Sequence, residues 1–427
     1  MKLSFALRSI TLLLAMCPAA LASIIWYVDG VNGSDNNNCK SRQHACKTIG
    51  HVIALASSGD SIMVAPATYY ENLTIGINLK VIGAGAKTTI IDGGANGTVI
   101  TINNGQINLA KVTIQNGYAS SNNGGGIYNT ATLVINSSTV SGNSVKSSRG
   151  KGGGIYNAGT LTINNGSISG NSTEASFGDG GGISNAYAGT LTINKSTITQ
   201  NQFSGGTYSA GGGGISNFGT LTINHSTISG NRGSGSVNCF GGGGGISNSR
   251  TLTINDSTLS GNGVGNLDDH QGRAWGGGVY NRGTLTINNG TLSGNTAFSR
   301  YLPPLGGGIY GAATLQNSIV ANSPSGGNCS GTMTSNGYNL SSDNTCNFNN
   351  IGDLNNTDPV LGRLGNYGGR TQTIPLLSGS PAIDAGNPKG CTDGNGHLLK
   401  TDQRGKPRPD KEDTGGCDMG AFERQKD

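Results

Sequence analysis

The sequence predicts an all-β solenoid, a parallel β-helix in which short strands wind through successive coils and stack on their equivalents. Three observations predict it. The text from Gly152 to Asn171 is written seven times with small edits, its Gly-Gly-Gly-Ile/Val anchor recurring at Ile127, Ile155, Ile183, Ile215, Ile246, Val279 and Ile309 in steps of 28 to 33 residues. Within each copy apolar and polar residues alternate, as in Thr160-Leu161-Thr162-Ile163-Asn164 and Ser167-Ile168-Ser169, and a period of two means strand. Gly or Asn closes every short apolar run. A copy cannot bury a core alone, whereas stacked copies place Ile155, Leu161, Ile163 and Ile168 in one continuous interior. A propeller blade would need about 40 residues, more than each copy offers.

Residues 1–22 carry Lys2, Arg8, an apolar run from Ile10 to Met16 and Ala20-Leu21-Ala22, the pattern of a secretory signal peptide cleaved before Ser23. No later run approaches the ~20 apolar residues a membrane-spanning helix needs, so the expected mature protein is exported, without a transmembrane segment, and monomeric. Residues 23–72 form the expected N-terminal cap and first strand. Ile49, Val52, Ile53 and Ala56 share one face of a short helix, a plug for the open apolar end of a solenoid. Residues 73–325 are the expected β-helix, irregular at first and regular from about residue 124, about ten coils in all. Between each Gly-Asn and the next glycine triplet lies a variable insert of about 8 to 13 residues, and such inserts project from one side of a solenoid, often the binding side. Asn157, Asn164 and Asn171 close the three strands of one coil. They are expected to bond amide to amide between coils and to adopt left-handed corner angles.

Residues 326–427 leave the repeat and hold 11 of the chain's 22 carboxylates in residues 353–427; they are expected to wrap the last coil. Export makes disulfides expected, with neighbouring pairs Cys39–Cys46, Cys329–Cys346 and Cys391–Cys417 the simplest assignment and Cys239 left over. Composition agrees: 75 glycines, 11% charged and 5% aromatic residues describe a turn-rich β chain. The net charge of +5, or +3 without Lys2 and Arg8, is too small and dispersed for nucleic acid or an anionic membrane.

The closing text carries Gly368-Gly369-x-Thr371, Gly379-Ser380-Pro381-Ala382-Ile383-Asp384-Ala385-Gly386, Asp402-Gln403-Arg404-Gly405 and Gly420-Ala421-Phe422-Glu423. From about residue 360 it resembles the C-terminal choice-of-anchor Q module of bacterial surface β-helix proteins. The repeats resemble those of polymorphic-outer-membrane-protein-like and pectin-lyase-like β-helices. That resemblance implies a right-handed coil and an exported surface protein, with polysaccharide lyases and hydrolases in the wider superfamily. Four residues follow Glu423, none of them part of a hydrophobic tail.

Three columns could carry chemistry. The residue after Leu-Thr-Ile-Asn runs Ser137, Asn165, Lys195, His225, Asp256, Asn289, so Lys195, His225 and Asp256 are the candidate catalytic trio, a histidine flanked by a carboxylate being able to act as a general base. The residue after the anchor runs Tyr128, Tyr156, Ser184, Ser216, Ser247, Tyr280, Tyr310, a serine trough with tyrosine walls on which sugars could stack. Thr-x-Thr files (Thr160/Thr162 to Thr284/Thr286) suit an outward sheet face and resemble those of ice-binding solenoids. Glycoside hydrolysis needs two carboxylates roughly 5 to 9.5 Å apart, yet between residues 100 and 325 stand only Glu174, Asp179, Asp256, Asp268 and Asp269. No metal or other cofactor is expected, although Asp393-Gly394-Asn395-Gly396 is a fragment of a calcium loop pattern. The leading reading is a non-catalytic, adhesin-like scaffold binding polysaccharide or a cell-surface glycan. The alternatives are a polysaccharide lyase, hydrolase or epimerase and, more remotely, ice binding.

Overall fold

A computed structural model describes residues 23–121, 123–205, 211–234, 242–266, 274–300, 302–394, 396–410 and 416–425. The proposed signal peptide, Cys239, Asp268, Asp269 and Asn395 lie outside the described residues. The chain forms a parallel β-solenoid of four sheets holding 12, 11, 10 and 7 strands. The Leu-Thr-Ile segments stack from Ile25–Val28 to Met333–Ser335, the Ser-Ile-Ser segments from Ala67–Tyr70 to Leu340–Ser341, and the Ile-x-Asn segments from Leu73–Ile75 to Cys329–Ser330. Equivalent residues pair one to one: Leu161 faces Leu133 and Leu191, and Ile163 faces Ile135 and Ile193. Alternation therefore sends every Leu and Ile of this face inward, and Ile155, Leu161, Ile163 and Ile168 are fully buried in a core running from Trp26 to Phe348.

The fourth sheet departs from expectation. Each regular insert begins not as a loop but as a strand, among them Ser144–Lys146, Ser172–Ala175, Gln202–Gly205 and Thr296–Ser299. One inward residue per strand (Val145, Thr173, Phe203, Val264, Ala297) seals that side of the tube. These residues share no chemical type, which is why the sequence concealed the strand.

Corners are held by asparagine. Asn129, Asn157, Asn185, Asn217, Asn248 and Asn281 form one buried file in which each Nδ2 donates to the next coil's Oδ1 at 2.7–2.8 Å. Asn143, Asn171, Asn201, Asn231, Asn262 and Asn295 form a second at 2.9–3.0 Å. The second file also caps backbone, as where Asn171 N donates to Asn201 Oδ1 and Asn201 Nδ2 to Ile168 O. The left-handed angles fall elsewhere than expected. They occupy the residue after Asn164 (Asn165, Lys195, His225 and Asp256, φ 43–53°) and the glycine before Asn171 (Gly170, φ 61°). The side-chain amides, not unusual backbone angles, are what the ladder asparagines contribute.

The N-terminal helix, Ile49–Leu55, buries Ile49 and Val52, with Ile53 and Ala56 packed partly against the core. Thr48 caps it by accepting from His51 N, and Glu71 accepts from Ile49 N and Gly50 N, pairing a carboxylate with the free N–H groups of the first turn. Cys39–Cys46, Cys329–Cys346 and Cys391–Cys417 are bonded as expected. No helix among the described residues is long and apolar enough to cross a membrane.

The C-terminal segment does more than wrap the last coil. Leu340 bridges to Leu354 there, but described residues between 371 and 423 then lie along the outer face of the Ser-Ile-Ser sheet. Thr227 Oγ1 donates to Gln372 O, Thr258 Oγ1 to Gln403 Oε1 at 2.6 Å, and Ala421 N to Thr291 Oγ1 at 2.9 Å.

Candidate functional site

The docked segment decides the fate of the Lys195, His225, Asp256 column. The three residues do occupy successive corners, yet they are not a common exposed group. Lys195 is exposed, His225 is half-buried with its carbonyl accepting from Thr371, and Asp256 has no exposed surface. Burial, helped by the nearby Lys195 charge, holds the His225 imidazole below its ordinary pKa. Asp256 bonds to Arg408 Nη1 at 3.0 Å, and Arg408 Nε bonds Glu423 Oε2 at 2.7 Å while Nη2 donates to Gly420 O. Neither acid is exposed, and Asp256 Oδ2 and Glu423 Oε1 are left without a partner. Burial pushes Asp256 up to about 7 and Glu423 up to about 8, against the pull of the shared guanidinium. Asp256 thus belongs to a buried clamp between solenoid and C-terminal segment, where substrate does not reach.

The C-terminal motifs build the same clamp. Gln403 Nε2 donates to Thr227 Oγ1 and Thr371 Oγ1, Asp402 pairs with Arg404 at 2.7 Å, and the Arg404 guanidinium lies 3.5 Å from the Phe422 ring centroid. Gly420, at φ 92°, approaches so closely that a Cβ would stand 2.6 Å from Thr291 Oγ1.

The tyrosine column keeps its walls but loses its floor. Tyr128 stacks on Tyr156 at 5.3 Å between ring centroids, and Tyr280 on Tyr310 at 5.5 Å, joined by Trp275, which lies 4.8 Å from Tyr310 at 2°. Tyr128, Tyr156 and Tyr310 are half-buried, and Tyr280 is buried. Four coils at about 4.8 Å each put Tyr156 and Tyr280 about 19 Å apart. Ser184, Ser216 and Ser247 between them are buried and form no open trough. The glycine-rich turns lie over them: Gly212 N donates to Ser216 Oγ, and Ser184 Oγ donates to Asp179 Oδ1.

What the column reading missed stands beside it. Lys151 and Asp179, each the residue before a glycine triplet, bridge in adjacent coils and pair at 3.4 Å. Burial raises the Asp179 carboxyl despite that lysine. The Lys151 ammonium also sits 5.5 Å from the Phe218 ring, and the Arg250 guanidinium 4.4 Å from the exposed Tyr187 ring. Aligning the position before each glycine triplet, Lys151, Asp179 and Trp275, would have exposed part of this group. Glu174 pairs with Lys146 at 3.1 Å on the insert sheet. Among the described residues, the one group with metal-like ligand spacing is Cys39, Cys46 and His51, whose cysteines are joined in a disulfide. Asp393 bonds instead to His397, at 3.1 Å.

No protein-family model matches the chain, and no curated protein matches it significantly. Among solved structures, pectate lyase Pel9A is similar over 94% of this chain and 97% of its own, at 14% identity and a TM-score of 0.52. XylC in complex with xylose covers 94% and 99% at 10% identity and a TM-score of 0.44. A GH136 lacto-N-biosidase from Eubacterium ramulus covers 74% and 67% at 11% identity and a TM-score of 0.32. The first likeness establishes a right-handed parallel β-helix; the other two carry no argument.

Proposed function

We propose that this chain is an exported, surface-associated β-helix that binds polysaccharide without cleaving it. The observation that carries the reading is the ring and cation edge beside the Ile-x-Asn sheet: Tyr128/Tyr156 at one end, Trp275/Tyr280/Tyr310 at the other, with Lys151–Phe218 and Arg250–Tyr187 between. Aromatic rings offer flat apolar area with a polar rim, and two ring stacks set about 19 Å apart along a rigid scaffold suit an extended chain rather than a single sugar. That the fold is similar to that of a protein named as a pectate lyase fits a carbohydrate ligand. The C-terminal resemblance to choice-of-anchor Q modules supports surface association, and the leader pattern supports export.

The non-catalytic part of the reading rests on how the described carboxylates between residues 100 and 325 are engaged: Glu174 with Lys146, Asp179 with Lys151 and Ser184, Asp256 with Arg408. A glycan array on the protein beginning at Ser23, run beside a reducing-end release assay on the bound polysaccharides, tests both halves. Binding that Tyr156→Ala and Tyr310→Ala weaken, without released ends, supports the proposal. Released ends, or binding indifferent to both variants, overturns it.

A further inference from the structure

The outward face of the Leu-Thr-Ile sheet repeats one chemistry from coil to coil. Five successive coils present the same three side chains: Thr160, Thr162 and Asn164, repeated at residues 190, 220, 251 and 284 with the same spacing. Their strands pair one to one with no slip. The face is therefore a lattice, with rungs about 4.8 Å apart along the solenoid and alternate residues about 6.7 Å apart across it. None of the fifteen positions is charged or aromatic.

The lattice is also stiff. Asn164, Asn194, Asn224, Asn255 and Asn288 each donate Nδ2 to the Oδ1 one coil earlier at 2.9 Å, so their amides are locked. The threonines are β-branched and hold few χ1 rotamers. Thr160, Thr190, Thr220 and Thr284 are exposed, and Thr162, Thr192, Thr222, Thr253 and Thr286 are half-buried by their own neighbours. Among the described residues, the C-terminal segment reaches the last rungs of the asparagine file: a Cβ on Gly394 would lie 2.7 Å from Asn288 Nδ2.

We infer that this threonine–asparagine face binds ordered water, specifically the surface of ice. A soluble neutral glycan gains little from such a face, because each hydroxyl bond it makes replaces one to water, and the face offers no ring for a sugar to stack on. An ice surface is itself water and itself periodic. A rigid file of methyl and hydroxyl groups engages it at many points at once, with little ordering left to do. The five coils bear no charge on this face, while Lys195, Arg250 and Arg282 stand at corners beside it, so the neutral lattice is bounded by groups that keep liquid water. This face is separate from the aromatic edge, and the two readings fail independently.

The experiment uses the full chain from Ser23, measuring thermal hysteresis and uptake into slowly growing ice. Variants are Thr192→Lys/Thr222→Lys, the conservative Thr192→Ser/Thr222→Ser, and Tyr156→Ala/Tyr310→Ala on the other face, each checked for folding by circular dichroism. Expected are uptake well above a non-binding protein of equal size, loss to that background in the lysine pair, reduction in the serine pair, and no change in the tyrosine pair. Background uptake by the unaltered chain overturns the inference, as does uptake that the lysine pair leaves intact. Retention on insoluble cellulose or chitin that the lysine pair abolishes, without ice uptake, overturns it in favour of a polysaccharide lattice.

Discussion

Replacing Asp256 with Asn should stabilise the protein at pH 8 and not at pH 4.5. Arg408 is a single buried cation between two buried acids, Asp256 and Glu423; burial works against its charge, and the flanking carboxylates hold it protonated. It can neutralise one carboxylate, so the second is driven to hold a proton. For Asp256 the gap between 3.8 and about 7 corresponds to ~4 kcal/mol, at about 1.4 kcal/mol per decade. Glu423 moves similarly, from 4.5 to about 8, but the acids share one guanidinium, so the pair titrates together and the two figures do not add. The sign follows from linkage. Both acids bind a proton more tightly folded than unfolded, so the favourable contribution is complete below about pH 4 and is lost as pH rises through 7 to 8. The unaltered protein should therefore lose stability from pH 4.5 to 8. Asp256→Asn keeps the oxygen facing Arg408, removes one titration and should gain between ~1 and ~4 kcal/mol at pH 8. At pH 4.5 it should change little, because the protonated carboxyl it replaces already carries an O–H at Oδ2 with no acceptor. A solenoid unfolds in parts, so urea titrations by circular dichroism should be paired with proteolysis of residues 402–425. Stability that rises from pH 4.5 to 8, or an Asn variant weaker at pH 8, would refute the reasoning.

Three further perturbations test the scaffold. Asn201→Ala removes bonds to Ile168 O, Asn231 Oδ1 and Asn171 N and should cost about 2–3 kcal/mol in a denaturant titration, since buried backbone groups are left unpaired; an unchanged midpoint would count against the ladder. Lys195→Gly relieves a left-handed non-glycine residue at φ 49° and should raise thermal stability by up to ~1 kcal/mol, while leaving glycan binding unchanged. Cys391→Ser/Cys417→Ser opens a bridge of sequence separation 26 and should cost about 3 kcal/mol, seen first as faster proteolysis of the C-terminal segment; equal protease resistance would place the segment's anchorage elsewhere.

The tube was legible because its signal is local. A period of two sends Leu161 and Ile163 inward whatever surrounds them, and seven copies of one text leave no other partner than the neighbouring coil. The cysteine pairs were legible for the same reason, each being close in sequence. The insert strands were not, because Thr173, Phe203 and Val264 share burial but no chemistry. The path of residues 371–423 was not legible either, since its contacts join positions far apart: Gln403 meets Thr258 across 145 residues and Ser226 across 177. Nothing in Thr227-Ile228-Ser229, buried by that segment, distinguishes it from Thr197-Ile198-Thr199, whose outward threonines stay half-exposed.

The burial of Asp256 says how charge should be weighed in a repeat. Across one corner column the residues are Ser137, Asn165, Lys195, His225, Asp256 and Asn289, all at left-handed angles that suit Asn and Asp and cost the others some strain. Variation there looked like chemistry because Lys, His and Asp stood in successive coils. Stacking fixes only that their corners adjoin; it leaves open what lies over them, and a second layer of chain placed Asp256 against Arg408 while leaving Lys195 in water. An acid at an exposed corner would need no partner. The one acid in this column has a guanidinium 152 residues away brought to 3.0 Å, beside a glutamate from the same C-terminal segment. In a solenoid whose coil faces are mostly neutral, a solitary carboxylate is therefore better evidence for where another part of the chain docks than for where a substrate is cut.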